Sequence, residues 1–143
     1  MRKRCNRRVR EQAAPMLAVM FGVPEMEITE RIAVEAFAGG WAVKDHFDRL
    51  ADCRDILMLA ASEKDDKSTL AATELGYIAL LAIKERHART GKFGVSGDEL
   101  ATLRLLVDQS GDFWRRQNGV IFARHYDALK RARKMQHKGE TRA

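Results

Sequence analysis

An all-α fold, a compact bundle of four to five antiparallel helices with a basic N-terminal arm, is what these 143 residues predict. Three observations carry that expectation. Apolar side chains recur at steps of three and four over long stretches, the period of one helical face. Glycines, prolines and a capping pattern punctuate those stretches at helical lengths. No segment alternates apolar and polar residues long enough to read as a strand. Hydrophobic types make up 45% of the chain, the ordinary share for a folded domain, and a chain this long can bury one real core. The expected organisation is a flexible basic arm over 1–12, one helical domain over 13–137 and a frayed tail over 138–143.

The elements follow in order. Pro15 suits the first turn of a short helix through Phe21, which Gly22, Val23 and Pro24 break. A helix is expected from about Glu25 to Ala38. Glu25 and Glu27 lie in its first turn, where the macrodipole favours acids, and Gly39-Gly40 ends it. The next helix, about Trp41 to Ser62, carries Val43, Phe47, Leu50, Cys53, Leu57 and Ala60 on one face. The polar run from Glu63 to Ser68 reads as a loop, with Ser68 as N-cap of a helix from Thr69 to Thr90. The middle of that helix, Leu75 to Ile83, is apolar nearly all round, which marks it as the central and most buried one. Gly91 suits the left-handed cap beyond it.

Phe93 and Val95 are expected to pin the next connector to the core. Ser96 and Glu99 then form an S-x-x-E capping box, the most specific local signal in the chain. The helix it opens sets Leu100, Leu103, Val107, Ser110 and Trp114 on one face, and Asn118-Gly119 ends it. A last helix from about Val120 to Met135 buries Phe122, Leu129 and Tyr126, and the chain frays from Gln136.

Charge divides the chain in three. Residues 1–10 hold Arg2, Lys3, Arg4, Arg7, Arg8 and Arg10 with no acid. The body to residue 120 is mildly acidic. From residue 121 onward seven cations face two acids. Basic ends of this kind attract polyanions or acidic protein patches through fields that salt screens. Two stripes stand out. Asp45, Asp48, Asp52 and Asp55 step by three and four along one helical face, a partner-facing surface or a mimic of phosphate spacing. Arg124, Arg131, Lys134 and Lys138 form a cationic stripe on the last helix. Lys130 and Arg133 widen it, and Arg115 and Arg116 stand nearby beside Trp114. The acidic flank and the cationic ends are expected to stand apart on a rigid scaffold. A solvated helix surface is the plainer reading of each stripe.

Chemistry is sparse. His46, His87, His125, His137, Cys5 and Cys53 show no metal-ligand spacing. Cys53 falls on an apolar stripe as a small core residue, whereas Cys5 lies among arginines that lower a thiol's pKa. His125 is expected to be packed or bonded locally, and His87 to serve as a helix-end cation. No phosphate loop, nucleophile elbow or kinase signature is present. The expectation is therefore a chain that is no enzyme and carries no cofactor or metal. No apolar run approaches the roughly 20 residues that cross a bilayer. The N-terminus lacks a convincing export signal, so the expected setting is the cytoplasm, with thiols reduced.

Thr90-Gly-Lys-Phe-Gly-Val-Ser-Gly-Asp-Glu-Leu, followed by Leu103 to Asp108, resembles a segment of short proteins encoded by phages and prophages of proteobacteria. The basic opening Arg2 to Arg10, and a V-K-x-H helix start in Val43-Lys-Asp-His, fit the same pattern. The resemblance covers residues 43–110 and, loosely, the ends. It implies a phage accessory protein acting in the host cytoplasm, and it brings no active site with it. The functional expectation is a binding protein that modulates a host protein or nucleoprotein, including host-takeover and anti-defence inhibitors. The alternative is a DNA- or RNA-binding regulator using the arm and the last helix. Neither expectation involves a membrane, and both leave a homodimer open.

Overall fold

The computed structural model describes residues 25–117 and 119–141. The basic arm with Arg2, Lys3, Arg4, Cys5, Arg7 and Arg8, and the short helix expected before Gly22, lie outside the described residues. Within them the architecture is all-α, with five helices packed on one another and no strand. They are α1 over 25–39, α2 Lys44–Glu63, α3 Lys67–Thr90, α4 Gly97–Arg116 and α5 Gly119–Thr141.

Local chemistry sets each boundary. In the first turn of α1 the Thr29 hydroxyl donates to the Met26 carbonyl at 2.8 Å, and Glu27 meets Arg31 one turn on at 3.0 Å. The second helix starts at Lys44 rather than near Trp41. Val43 is the N-cap, and its amide donates to His46 Nδ1 at 3.0 Å. The histidine of the V-K-x-H segment is thus a capping group, held in the tautomer that leaves Nδ1 free to accept. For α3 the N-cap is Asp66, not Ser68. Its carboxylate accepts from the Thr69 amide at 3.1 Å and the Thr69 hydroxyl at 2.8 Å. Asp66 offers two acceptor oxygens and a charge that suits the helix dipole, both of which Ser68 lacks. At the other end Gly91 takes φ 72°, and its amide donates to the His87 carbonyl at 2.8 Å. A side chain there would strain the left-handed backbone.

The capping box forms as expected. Ser96 accepts from the Glu99 amide at 3.2 Å, while Glu99 accepts from the Ser96 amide at 2.9 Å. Arg86 of α3 clamps the same carboxylate with two bonds, at 2.9 and 2.8 Å, and donates to the Gly94 carbonyl at 2.8 Å. That guanidinium holds the Glu99 carboxyl below the usual range. Phe93 stacks on Phe47 at 5.8 Å and meets Phe37 edge-on at 6.2 Å, which fastens the connector. The last helix outruns its expected end near Met135 and continues through Gln136 to Thr141.

Side-chain pairs fix the directions. Glu27, Arg31 and Glu35 of α1 meet Arg115, Asp108 and Arg104 of α4 in reverse order. Arg86 with Glu99, and Gly76 with Leu106, set α3 antiparallel to α4. Gly76 is a close approach: a Cβ there would stand 3.0 Å from Leu106 Cδ2. The core has two adjoining centres. One joins Ala33, Val34 and Phe37 of α1 to Leu50, Leu80, Ile83, Leu103 and Val107. The other joins Cys53, Ile56, Leu57, Ala60 and Ala61 of α2 to Leu106, Phe113 and Trp114, with Phe122, Tyr126 and Leu129 of α5 half-buried against it.

One expectation about burial fails. The middle of α3 is not wrapped by neighbours, because the helix packs on α2 and α4 from one side. Leu75, Ile78 and Leu81 keep 50%, 59% and 41% of their surface exposed. An apolar circumference shows that a helix can be buried, not that enough partners exist to bury it.

Candidate functional site

The acidic flank of α2 is engaged within the fold. Asp48 pairs with Lys44 at 2.5 Å and Asp55 with Arg54 at 2.9 Å. Arg54 is itself anchored across the α2–α3 seam. It donates to the Thr73 carbonyl at 3.2 Å and lies over the Tyr77 ring at 4.7 Å. Asp52 is half-buried and forms an ion pair with Arg133 of α5. Burial pushes the Asp52 carboxyl up even against that guanidinium. Asp45 alone of the four lies exposed without an ion pair among the described residues. The expected separation of acidic flank and basic helix is therefore corrected: α5 lies antiparallel along α2, and its cations meet α2's acids directly.

A second charged contact closes the far end of the same seam. Glu63, the last residue of α2, takes Arg124 on one oxygen and His125 Nε2 on the other, the latter at 2.6 Å. His125 and then Arg124 hold the Glu63 carboxyl below its ordinary value. Arg115 is committed to Glu27 and Asp112, at 2.8 and 2.9 Å. Arg116 donates to the Asp112 carbonyl at 3.2 Å and stands 3.9 Å from Asp66.

Among the described residues, two of the expected basic side chains remain without an ion pair. Arg131 and Lys134 are exposed on α5 and form no ion pair among the described residues, and neither does Lys138 one turn on. The three sit at spacings of three and four on one face, about 10 Å from end to end at 1.5 Å per residue. Lys130 flanks them, its ammonium 4.3 Å above the Tyr126 ring. Of the four residues in the expected cationic stripe, only Arg124 turns away, to Glu63.

Sequence reading missed one group, Glu30 of α1, which is 3% exposed. The Cys53 thiol is its hydrogen-bonding partner, and burial pushes the Glu30 carboxyl up to about 7. A signal existed. Met26, Glu30, Ala33 and Phe37 step by four, three and four, so a carboxylate stands in register on an apolar stripe. Cys53 is buried as expected, and burial raises its thiol far from a reactive state. Among the described residues, no three His, Cys, Asp or Glu side chains gather to hold a metal ion, and no helix is long and apolar enough to cross a membrane. Compared with known proteins, the chain matches no family model, no curated protein and no solved structure.

Proposed function

We propose that this chain is a non-enzymatic binding protein that docks on nucleic acid, or on a nucleoprotein, through the outward face of α5. The observation that carries this reading is the contrast among its cations. Arg115, Arg116, Arg124 and Arg133 are spent on internal acids, whereas Arg131, Lys134 and Lys138 project together and form no ion pair among the described residues. A rigid helix offers such a row to a phosphate backbone at little ordering cost. The basic residues over 2–10 add to the same attraction in the intact chain. Nothing in this row discriminates bases, so the reading is one of backbone contact. The resemblance to phage accessory proteins supplies its setting, a host macromolecule bound and modulated.

Fluorescence anisotropy with a labelled duplex and a labelled single strand, over a salt series, tests the reading. Each lost phosphate contact lowers the log–log salt slope by about 0.9 for duplex DNA. Replacing Arg131, Lys134 and Lys138 together by alanine is expected to reduce the slope by about 2.7 and weaken low-salt binding roughly 100-fold. No binding by the intact chain at low salt, or equal binding by the triple variant, overturns it.

A second reading, docking on a host protein, draws on α3, whose Leu75 and Ile78 are left half-exposed or more. Ile78→Lys would then abolish a protein complex while leaving nucleic-acid affinity unchanged. Light scattering on the same variant separates this from self-association.

A further inference from the structure

We propose that the open cavity between α1, α2 and α5 binds a small hydrophobic amine, seating its ammonium on Glu30 and its apolar body against Phe122 and Tyr126. The cavity has a volume of about 300 Å³, the lower end of the range that small-molecule sites occupy. One part of its wall is apolar, from Met26, Ile56, Phe122 and Tyr126. The two rings stack at 5.7 Å with 20° between their planes and form a flat apolar wall for a ligand's body.

The polar side of the cavity fixes the sign of the ligand. Glu25, Glu30 and Asp52 line it against a single cation, Arg49. Asp52 is taken by Arg133, and Arg49 reaches toward the Thr29 hydroxyl at 3.4 Å. Glu30 differs from both acids. It is almost wholly buried, yet its side-chain partner is the thiol of Cys53, a weak donor. A carboxylate can accept about four hydrogen bonds, so most of that capacity is open. An ammonium supplies strong donors and a compensating charge in one group. A carboxylate ligand would meet three acids, and a neutral alcohol would compensate no charge.

Protonation couples to this seat. The groups facing Glu30 are Glu27 and Arg31 on α1 and Arg49 and Cys53 on α2, with Asp52 beside Cys53 and Ser110 of α4 behind it. With burial dominant among them, Glu30 titrates near 7. An ammonium selects the ionised form, so binding draws a proton off Glu30 below that pH.

The test is an amide NMR titration of the full chain with benzylamine, benzyl alcohol and benzoate, at pH 6 and pH 8. Benzylamine is expected to saturate and to move amides around 26–30, 52–56 and 122–126. Its affinity should rise roughly tenfold from pH 6 to pH 8, the change in the ionised fraction of a group titrating near 7. Benzyl alcohol should bind at least tenfold more weakly, and benzoate not at all. Glu30→Gln should bring the amine down to the alcohol's affinity and remove the pH dependence. The proposal is overturned if benzylamine moves none of these amides at about 20 mM. It is equally overturned if the alcohol or benzoate binds as tightly on the unaltered chain, or if a folded Glu30→Gln binds the amine unchanged.

Discussion

The two flanks of α2 are held by different chemistry. Toward α3 and α4 the seam is mainly apolar and closely packed, with Leu50, Leu57 and Ala60 buried against Leu80, Ile83 and Leu106, and Arg54 crossing its rim to Thr73 and Tyr77. Toward α5 the apolar side chains Phe122, Tyr126 and Leu129 are only half-buried. That seam is also bridged by charge, through Asp52 with Arg133 near its middle and Glu63 with Arg124 and His125 at one end. A seam of the first kind depends on area removed from water and is indifferent to salt. The second kind depends on exposed charges that salt screens and protons remove. The last helix is thus fastened by the weaker chemistry and faces outward with its unspent cations.

Breaking each flank gives effects of different size and character. Leu57→Ala, on the closed side, empties a fully buried site and is expected to cost about 3 kcal/mol in urea unfolding, within the 2–5 range for such truncations. Glu30→Gln is expected to stabilise at high pH. Its carboxyl is raised from 4.5 to about 7 in the fold, so the unfolded chain ionises first. Stability contributed by the neutral form is complete below about pH 4.5, declines as pH rises, and is gone above about 7. The glutamine variant should match the parent near pH 4.5 and exceed it at pH 8, by up to about 3 kcal/mol at 1.36 per unit. Unfolding curves at the two pH values check both the sign and the window.

Arg133→Ala leaves Asp52 half-buried beside α5 without its partner. About 1 kcal/mol is expected, with faster amide exchange confined to α5 while α2 to α4 keep their protection. Arg131→Ala, two residues away on the outward face, should change stability by less than about 0.5 kcal/mol while weakening polyanion binding. That last pair of variants sharpens the comparison most, because it separates a cation that fastens the helix from one that advertises it.

Much of the fold was readable because its signals are local. The Ser96–Glu99 box, the Gly91 cap and the step pattern through Leu103, Val107, Ser110 and Trp114 all depend on residues within a turn or two of one another. The errors at Trp41 and Ser68 are shifts of a few residues, where His46 and Asp66 out-competed other capping groups. What could not be read is which faces meet. The pairing of Asp52 with Arg133 joins residues 81 positions apart, and two charged stripes look alike whether they face solvent or each other. The exposure of Leu75 and Ile78 has the same origin, since periodicity locates an apolar face and says nothing of how many neighbours arrive to cover it. Glu30 was readable in principle, as a carboxylate in step with Met26, Ala33 and Phe37, but a single polar residue on an apolar stripe is easily passed over.

The crossing of α3 over α4 at Gly76 has a consequence for how this sequence can change. In a free helix alanine at that position would be favoured over glycine by about 1 kcal/mol. Here the added methyl must displace Leu106, whose Cδ2 would lie 3.0 Å away, and Leu106 has no exposed surface into which to retreat. The two positions are therefore coupled: a methyl gained at 76 needs Leu106 to give way by a few tenths of an ångström, and a smaller side chain at 106 relieves that contact in divergent descendants of this chain.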